Sequence, residues 1–325
     1  MEPIPSPAPE EKFMKRILVF QLLLLMLLPI STSVWAQQQT ERQYPPQLDS
    51  ANRVEVYKSV GDTQLRLWVY EPANHRPSER RPAIVFFFGG GWRSGSPRQF
   101  EQHCRYFASR GMVAMTADYR VASRHGVPAV ECVKDAKSAV SWIREHAAEL
   151  GIDPARLAAG GGSAGGHIAA CTATADKVQP DDATETASSV PDALVLFNPV
   201  MRLGEGAEGV VDTGEINQRT GVAPEIISPY HALDKVCPPT IIFFGTDDRL
   251  FAGARDFAEK ARELGNRCEL LTWKDQRHGF FNYRPEQDPK MFIETVEAAD
   301  RFLTSLGYLE GEPAIEKFAE QLDGQ

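Results

Sequence analysis

Gly161-Gly162-Ser163-Ala164-Gly165 sets one hydroxyl among glycines, with the short apolar run Leu157 to Ala159 before it and the small-residue run Ala164 to Ala175 behind it. A serine on a sharp turn from strand to helix needs small neighbours, because side chains at Gly161 and Gly165 would collide with the adjoining elements. Such a turn aims Oγ out of the sheet and points the first helical amides at any oxyanion formed beside it. Ser163 is therefore predicted to be a nucleophile. A serine hydroxyl reacts poorly at neutral pH and needs a base, normally a histidine oriented by a carboxylate. Downstream, Gly245-Thr246-Asp247-Asp248 follows the apolar run Ile241 to Phe244, and His278-Gly279-Phe280 follows the segment ending at Trp273. Both stand at predicted strand C-termini, where parallel sheets build their sites. His278 is the expected base, while Asp247 and Asp248 compete for the acid role, since adjacent loop residues point in different directions.

An oxyanion requires donors from a second segment. Phe86-Phe87-Phe88-Gly89-Gly90-Gly91-Trp92 offers them after a buried strand, because glycines let backbone amides approach a substrate oxygen unobstructed. Gly90 and Gly91 are assigned to that role with the amide of Ala164. A phosphate-binding loop is the competing reading, but no G-x-x-x-x-G-K-[ST] is present and no acidic ribose partner stands at the expected place. Trp92 reads equally as a pocket wall or a packing anchor.

The elements that must position these groups follow an alternating rhythm. Arg53 to Val60 and Gln64 to Glu71 flank Gly61-Asp62 and predict an antiparallel hairpin. Ala83 to Phe88, Met112 to Ala117, Arg156 to Ala159, Ala193 to Phe197, Thr240 to Phe244 and Glu269 to Trp273 read as strands, several of them wholly apolar as in a buried parallel sheet. Helices are predicted over 97–110, 130–150, 164–175, 251–264 and 290–306 from apolar spacing. One doubly wound α/β domain over 51–308 results, with an acidic tail over 309–325 expected to form a peripheral helix. Two stretches break the rhythm: 176–190 is polar and predicts a surface loop, and the glycine-rich insertion 200–232 reads as a lid over the site, a plain loop being the alternative.

With 325 residues, 42% of them hydrophobic, the chain can fill a sizeable core. Lys12, Lys15 and Arg16 precede the apolar run Ile17 to Ile30, and Val34-Trp35-Ala36 follows, the pattern of a secretory signal cleaved after Ala36. Either Met1 or Met14 could be the start. The apolar run is shorter than the ~20 residues of a spanning helix, so no membrane association is expected after cleavage, residues 37–50 serve as a linker, and the product is exported. The net charge of −9 argues against nucleic acid. Five cysteines are an odd number and scattered: Cys104, Cys132 and Cys171 read as small core residues, and a Cys237–Cys268 bridge is the minority alternative. His103, His125, His146 and His231 stand singly, and neither a metal nor a cofactor is expected.

Phe88-Gly89-Gly90-Gly91-Trp92, Asp118-Tyr119-Arg120, the Ser163 turn through His167, Gly245-Thr246-Asp247-Asp248 and His278-Gly279-Phe280 occur in order. Together they resemble the α/β-hydrolase superfamily, and more closely the hormone-sensitive-lipase-like esterases and the related secreted acetylxylan and feruloyl esterases, over about residues 50 to 307. The resemblance implies an α/β-hydrolase fold, a Ser163–Asp248–His278 triad with Asp248 favoured over Asp247, and hydrolysis of short acyl esters of small molecules or polysaccharide through an acyl-enzyme. One departure stands out: those esterases usually carry histidine, which supports the glycine loop, where this chain has Phe88. Asp118 and Arg120 are expected to tie their loop down by ion pairing. Competing readings are a prolyl-oligopeptidase-like peptidase, which would normally carry an N-terminal propeller, and a non-catalytic binding protein, which would typically have lost the serine or histidine. A long-chain lipase would want an apolar lid, whereas the insertion carries Glu205, Glu208, Asp212, Glu215 and Arg219.

Overall fold

The computed structural model describes residues 44–181, 187–207, 218–234 and 236–322. The predicted signal segment and the linker up to residue 43 lie outside the described residues. The chain divides into two units, Met1–Gln47 and Leu48–Gln325. Of the first, the described residues 44–47 are irregular and include a cis Tyr44–Pro45 peptide.

In the second unit eight strands form one sheet: β1 (Arg53–Val60), β2 (Thr63–Tyr70), β3 (Arg81–Phe87), β4 (Val113–Ala117), β5 (Ile152–Gly162), β6 (Ala193–Phe197), β7 (Thr240–Gly245) and β8 (Cys268–Trp273). Their order across the sheet is β1-β2-β4-β3-β5-β6-β7-β8. The β1–β2 and β2–β4 pairs are antiparallel and all later pairs parallel, so the hairpin at the N-terminal edge leads into a doubly wound sheet. The principal helices are α1 (Glu101–Ser109), α2 (Ala129–Glu145), α3 (Ala164–Thr174), α4 (Phe251–Glu263), α5 (Lys290–Ser305) and α6 (Ile315–Leu322).

Both faces of the sheet are covered, which is why the central strands are mostly apolar where they pair, as in Ala83–Phe87 and Ala193–Phe197. Val85, Phe87, Met115 and Leu196 face one core with residues of α2, α3 and α4; Ile84, Phe86, Ala114 and Phe197 face the other with residues of α1, α5 and α6. The acidic tail belongs to that second layer, since α6 buries Ile315, Ala319 and Leu322. It is anchored there: the Tyr106 hydroxyl donates to Asp300 and accepts the amide of Ala314, and Arg110 pairs with Asp300 at 2.7 Å.

Two predicted elements need correction. The helix expected over 130–150 breaks at His146, whose ring stacks on Trp142 at 4.0 Å and whose Nδ1 donates to the Trp142 carbonyl; a separate turn, Ala147–Leu150, follows. The strand expected over 156–159 spans 152–162 instead. Against β3 it bulges: Asp153 to Arg156 stand opposite Pro82 alone, between the Arg81–Ile152 and Ala83–Leu157 pairs, and its glycines keep pairing with β6 as far as Gly162 opposite Phe197. Strand β5 thus runs directly into Ser163. All five cysteines are buried free thiols, Cys237 and Cys268 included.

Candidate active site

Ser163 sits between β5 and α3 with φ 54° and ψ −117°, a left-handed conformation that non-glycine residues adopt only where the surroundings enforce it. The enforcement is local. The Ser163 amide donates to the Phe197 carbonyl on β6, and its own carbonyl accepts the amide of His167 to start the helix. A Cβ at Gly165 would run into the carbonyl oxygens of Phe87 and Phe88, and one at Gly161 would stand 2.5 Å from that of Phe87. These glycines are what allow the turn to press against the end of β3.

The other two polar groups come from the next strand ends. After β7 the amide of Asp248 donates to the Gly245 carbonyl, which turns the carboxylate inward; it is buried, and one oxygen accepts the Leu250 amide at 3.0 Å. Its other oxygen lies 2.6 Å from His278 Nδ1, on the loop after β8. His278 Nε2 is 2.8 Å from Ser163 Oγ. A carboxylate on Nδ1 selects the tautomer that carries its proton there, leaving the Nε2 lone pair to accept the serine proton. Asp247, by contrast, is exposed, and its amide is taken by the Gln276 carbonyl.

The glycine loop lies beside the serine: a Cβ at Gly89 would be 3.2 Å from that of Ser163. Gly90 has φ 130° and Gly91 φ 63°, and among the described residues the amides of Gly90, Gly91 and Ala164 have no acceptor. Phe88, at the departure from the histidine pattern, is fully buried and supports the loop by packing. Its ring stacks on Tyr119 at 4.1 Å, and the Tyr119 hydroxyl donates to the Phe88 carbonyl at 2.6 Å.

A sequence profile described as the alpha/beta hydrolase fold matches residues 84–282, which hold all of these groups. This chain belongs to the α/β-hydrolase family. Among solved structures this hydrolase is similar to the propionate-bound esterase Est2 of the planctomycete Thermogutta terrifontis, with 49% identity and a TM-score of 0.78 over 83% of this chain and 99% of that one. The same esterase phosphonylated by sarin matches at 48% identity and a TM-score of 0.78, over 83% of this chain and all of that one. Carboxylesterase NlhH of Mycobacterium tuberculosis is 28% identical over 264 residues, covering 76% of this chain and 80% of its own length.

Around the hydrolase site, Arg120 fulfils its expected role. It pairs with Asp135 at 2.7 Å and with Glu131 and Asp181, and Lys58 shares Asp135 at 2.9 Å. Asp118 acts through hydrogen bonds: its carboxylate accepts the Tyr119 amide and its carbonyl the Tyr57 hydroxyl. Trp92 is a packing anchor, buried and donating from Nε1 to His167 Nδ1 at 3.1 Å. His167 closes the Ser163 motif in the sequence, where its spacing gives it no role. Its Nε2 donates to the Ile227 carbonyl at 2.6 Å, so one ring ties the glycine loop, the nucleophile helix and the insertion together. Burial pushes its pKa down to about 4, keeping it neutral.

Asn198 was also missed. It lies at the end of β6 with φ 44°, and its Oδ1 accepts the amide of Gly279, next to His278. The available signal was an Asn-Pro pair at the C-terminus of the strand beside the nucleophile strand. The described part of the 200–232 insertion is fixed at its base by Arg202–Asp256 at 2.8 Å and by the Tyr230 amide on the Met201 carbonyl. Residues 208–217, the centre of the expected lid, lie outside the described residues. Gln218, Arg219 and Gly221 reach the glycine loop and, with Gly91, Trp92 and Pro128, line a cavity of about 490 Å³.

Proposed function

We propose that this hydrolase is a serine carboxylesterase acting on short acyl esters, acetyl foremost. The observation that carries the reading is the continuous relay from buried Asp248 through His278 to Ser163, with 2.6 and 2.8 Å contacts, beside unpaired loop amides. His278 takes the Ser163 proton as Oγ attacks the ester carbonyl, and the amides of Gly90, Gly91 and Ala164 hold the oxyanion. His278 then protonates the departing alcohol oxygen, and in a second round activates the water that releases the acid. Asp248 holds the imidazole in its tautomer and stabilises the imidazolium.

Short acyl groups are supported by the similar Thermogutta terrifontis esterase, solved with propionate and with butyrate. A polysaccharide or other polyhydroxylated alcohol is supported by a second cleft of about 660 Å³ on the histidine side of the glycine loop, walled by Ser96, Arg98, Glu101, Gln102 and Tyr283. Arg98 and Glu101 offset each other in charge at 3.5 Å, which suits a neutral, hydrogen-bonding leaving group. Export is supported by the basic and apolar N-terminal pattern ending at Ala36.

Purified protein assayed on p-nitrophenyl acetate, butyrate and octanoate, with Ser163→Ala as control, tests the reading. Turnover of acetate and butyrate above octanoate that disappears in the variant is expected; turnover that survives Ser163→Ala overturns it.

A further inference from the structure

The site has two halves that approach each other from distant parts of the chain, the glycine loop at 89–92 and the histidine loop at 276–283. Between them runs a chain of side-chain amides. Gln99 Oε1 accepts the Gly89 amide at 2.6 Å, and Gln99 Nε2 donates to Asn282 Oδ1 at 2.8 Å. Asn282 Nδ2 donates to the Gly279 carbonyl at 2.8 Å, and the Gly279 amide reaches Asn198 Oδ1 on the sheet at 3.2 Å. The direction of every link is dictated by its ends. A backbone amide at Gly89 requires the Gln99 oxygen, which turns its nitrogen to Asn282, whose own nitrogen must then meet the Gly279 carbonyl.

We infer that Gln99 and Asn282 are positioning residues that lock the oxyanion loop to the histidine loop, so that Gly90, Gly91 and His278 hold one register around Ser163. The inference rests on the roles proposed above for those groups. Neighbouring geometry concentrates the effect on the reacting centre: a Cβ at Gly162 would lie 3.4 Å from Gln99 Nε2, and Gly279, with φ 80°, is adjacent to His278. Gln99 and Asn282 are both half-buried, so each amide left without its partner loses an interaction water cannot fully replace. The strut also explains how the loop holds its shape with Phe88 in place of a polar residue: packing fixes the Phe88 end, and Gln99 fixes the Gly89 amide.

Isosteric variants test continuity and not mere presence. Gln99→Glu keeps an acceptor for the Gly89 amide and cannot donate to Asn282. Asn282→Asp keeps the acceptor for Gln99 and cannot donate to the Gly279 carbonyl. Each is expected to lower kcat on p-nitrophenyl butyrate by ~100-fold with KM changed less than threefold, the scale of a roughly 1 Å misplacement of catalytic groups. Gln99→Ala and Asn282→Ala should do the same, and the double alanine variant should lose no more than either single one, because the strut is already broken. Thermal unfolding identifies any variant that fails to fold, in which case the isosteric pair is read. Wild-type kcat in Gln99→Glu, or a double variant whose loss is the product of the single losses, overturns the coupling. Either result leaves the serine reading intact, which only persistence of turnover in Ser163→Ala would remove.

Discussion

His103, on α1 directly under the site, offers a quantitative test of the packing that supports Ser163. Its ring is fully buried among Phe100 at 4.8 Å, Phe292 at 5.0 Å, Phe197 at 5.3 Å, Phe86 at 5.9 Å and Phe281 at 6.2 Å, and neither ring nitrogen has a partner among the described residues. Phe281 joins this cluster to the site, since its ring occupies the space a side chain at Gly162 would need. Burial alone pushes the His103 pKa down to about 3. A folded pKa below the unfolded value of about 6.5 means that the unfolded chain binds the proton first as pH falls. Stability from this residue is therefore complete above pH 6.5 and lost between there and pH 3. Protonating the unfolded histidine favours unfolding by RT ln(1 + 10^(6.5 − pH)), about 0.2 kcal/mol at pH 7 and about 2 kcal/mol at pH 5. His103→Phe deletes that term, so urea unfolding should show the variant losing about 2 kcal/mol less than wild type between pH 7 and pH 5. The larger ring changes the absolute stability at pH 7 through packing, but that offset cancels in the difference. Equal losses in the two proteins would show that the folded-state ring takes up a proton, and the argument from burial would fail.

Three further substitutions probe the site. Asp248→Asn should lower kcat by about 10⁴-fold by favouring the wrong tautomer of His278, whereas Asp247→Asn, at an exposed carboxylate, should stay within twofold; reversed effects in steady-state kinetics would exchange the two assignments. Gly165→Ala puts a methyl group onto the Phe87 and Phe88 carbonyls, and either a separation of α3 from β3 or loss of folding must follow. Soluble Gly165→Ala protein with wild-type kcat and melting temperature would refute the close approach.

The groups proposed to react are legible in the sequence because each is announced by its own strand: an apolar run stops, small or turn-forming residues follow, and a polar side chain stands at the sheet's C-terminal edge. Ser163, Asp248, His278 and the glycine loop all obey that local rule, and the same rule yielded the order of strands and helices. It failed where the deciding contact, near or far in the chain, leaves no mark on apolar spacing. The strand before Ser163 begins at Ile152, across a bulge at Asp153 to Arg156, because Ile152 pairs with Arg81 on β3. Helix α2 ends at Glu145, where the His146 ring folds back to stack on Trp142 and donate to its carbonyl, contacts that apolar spacing does not encode. The second of two adjacent aspartates turns inward because of a backbone bond to Gly245, so from composition alone Asp247 and Asp248 were equivalent.

The residues that hold the site in shape fall on the far side of this divide. Gln99 and Asn282 are 183 positions apart, and His167 finds Ile227 60 positions away. Each side chain is ordinary in its own segment and acquires its function only when the sheet brings the segments together. Such residues cannot be recognised by spacing, yet they decide whether amides and imidazole meet one tetrahedral centre or straddle it. Chemical competence is thus written at strand ends, while catalytic register is written in pairings between them. That is why changes at Gln99 and Asn282, which touch no reacting atom, are expected to be felt in kcat with little change in KM, in the neutral alanine variants as well as in the isosteric ones that add a carboxylate.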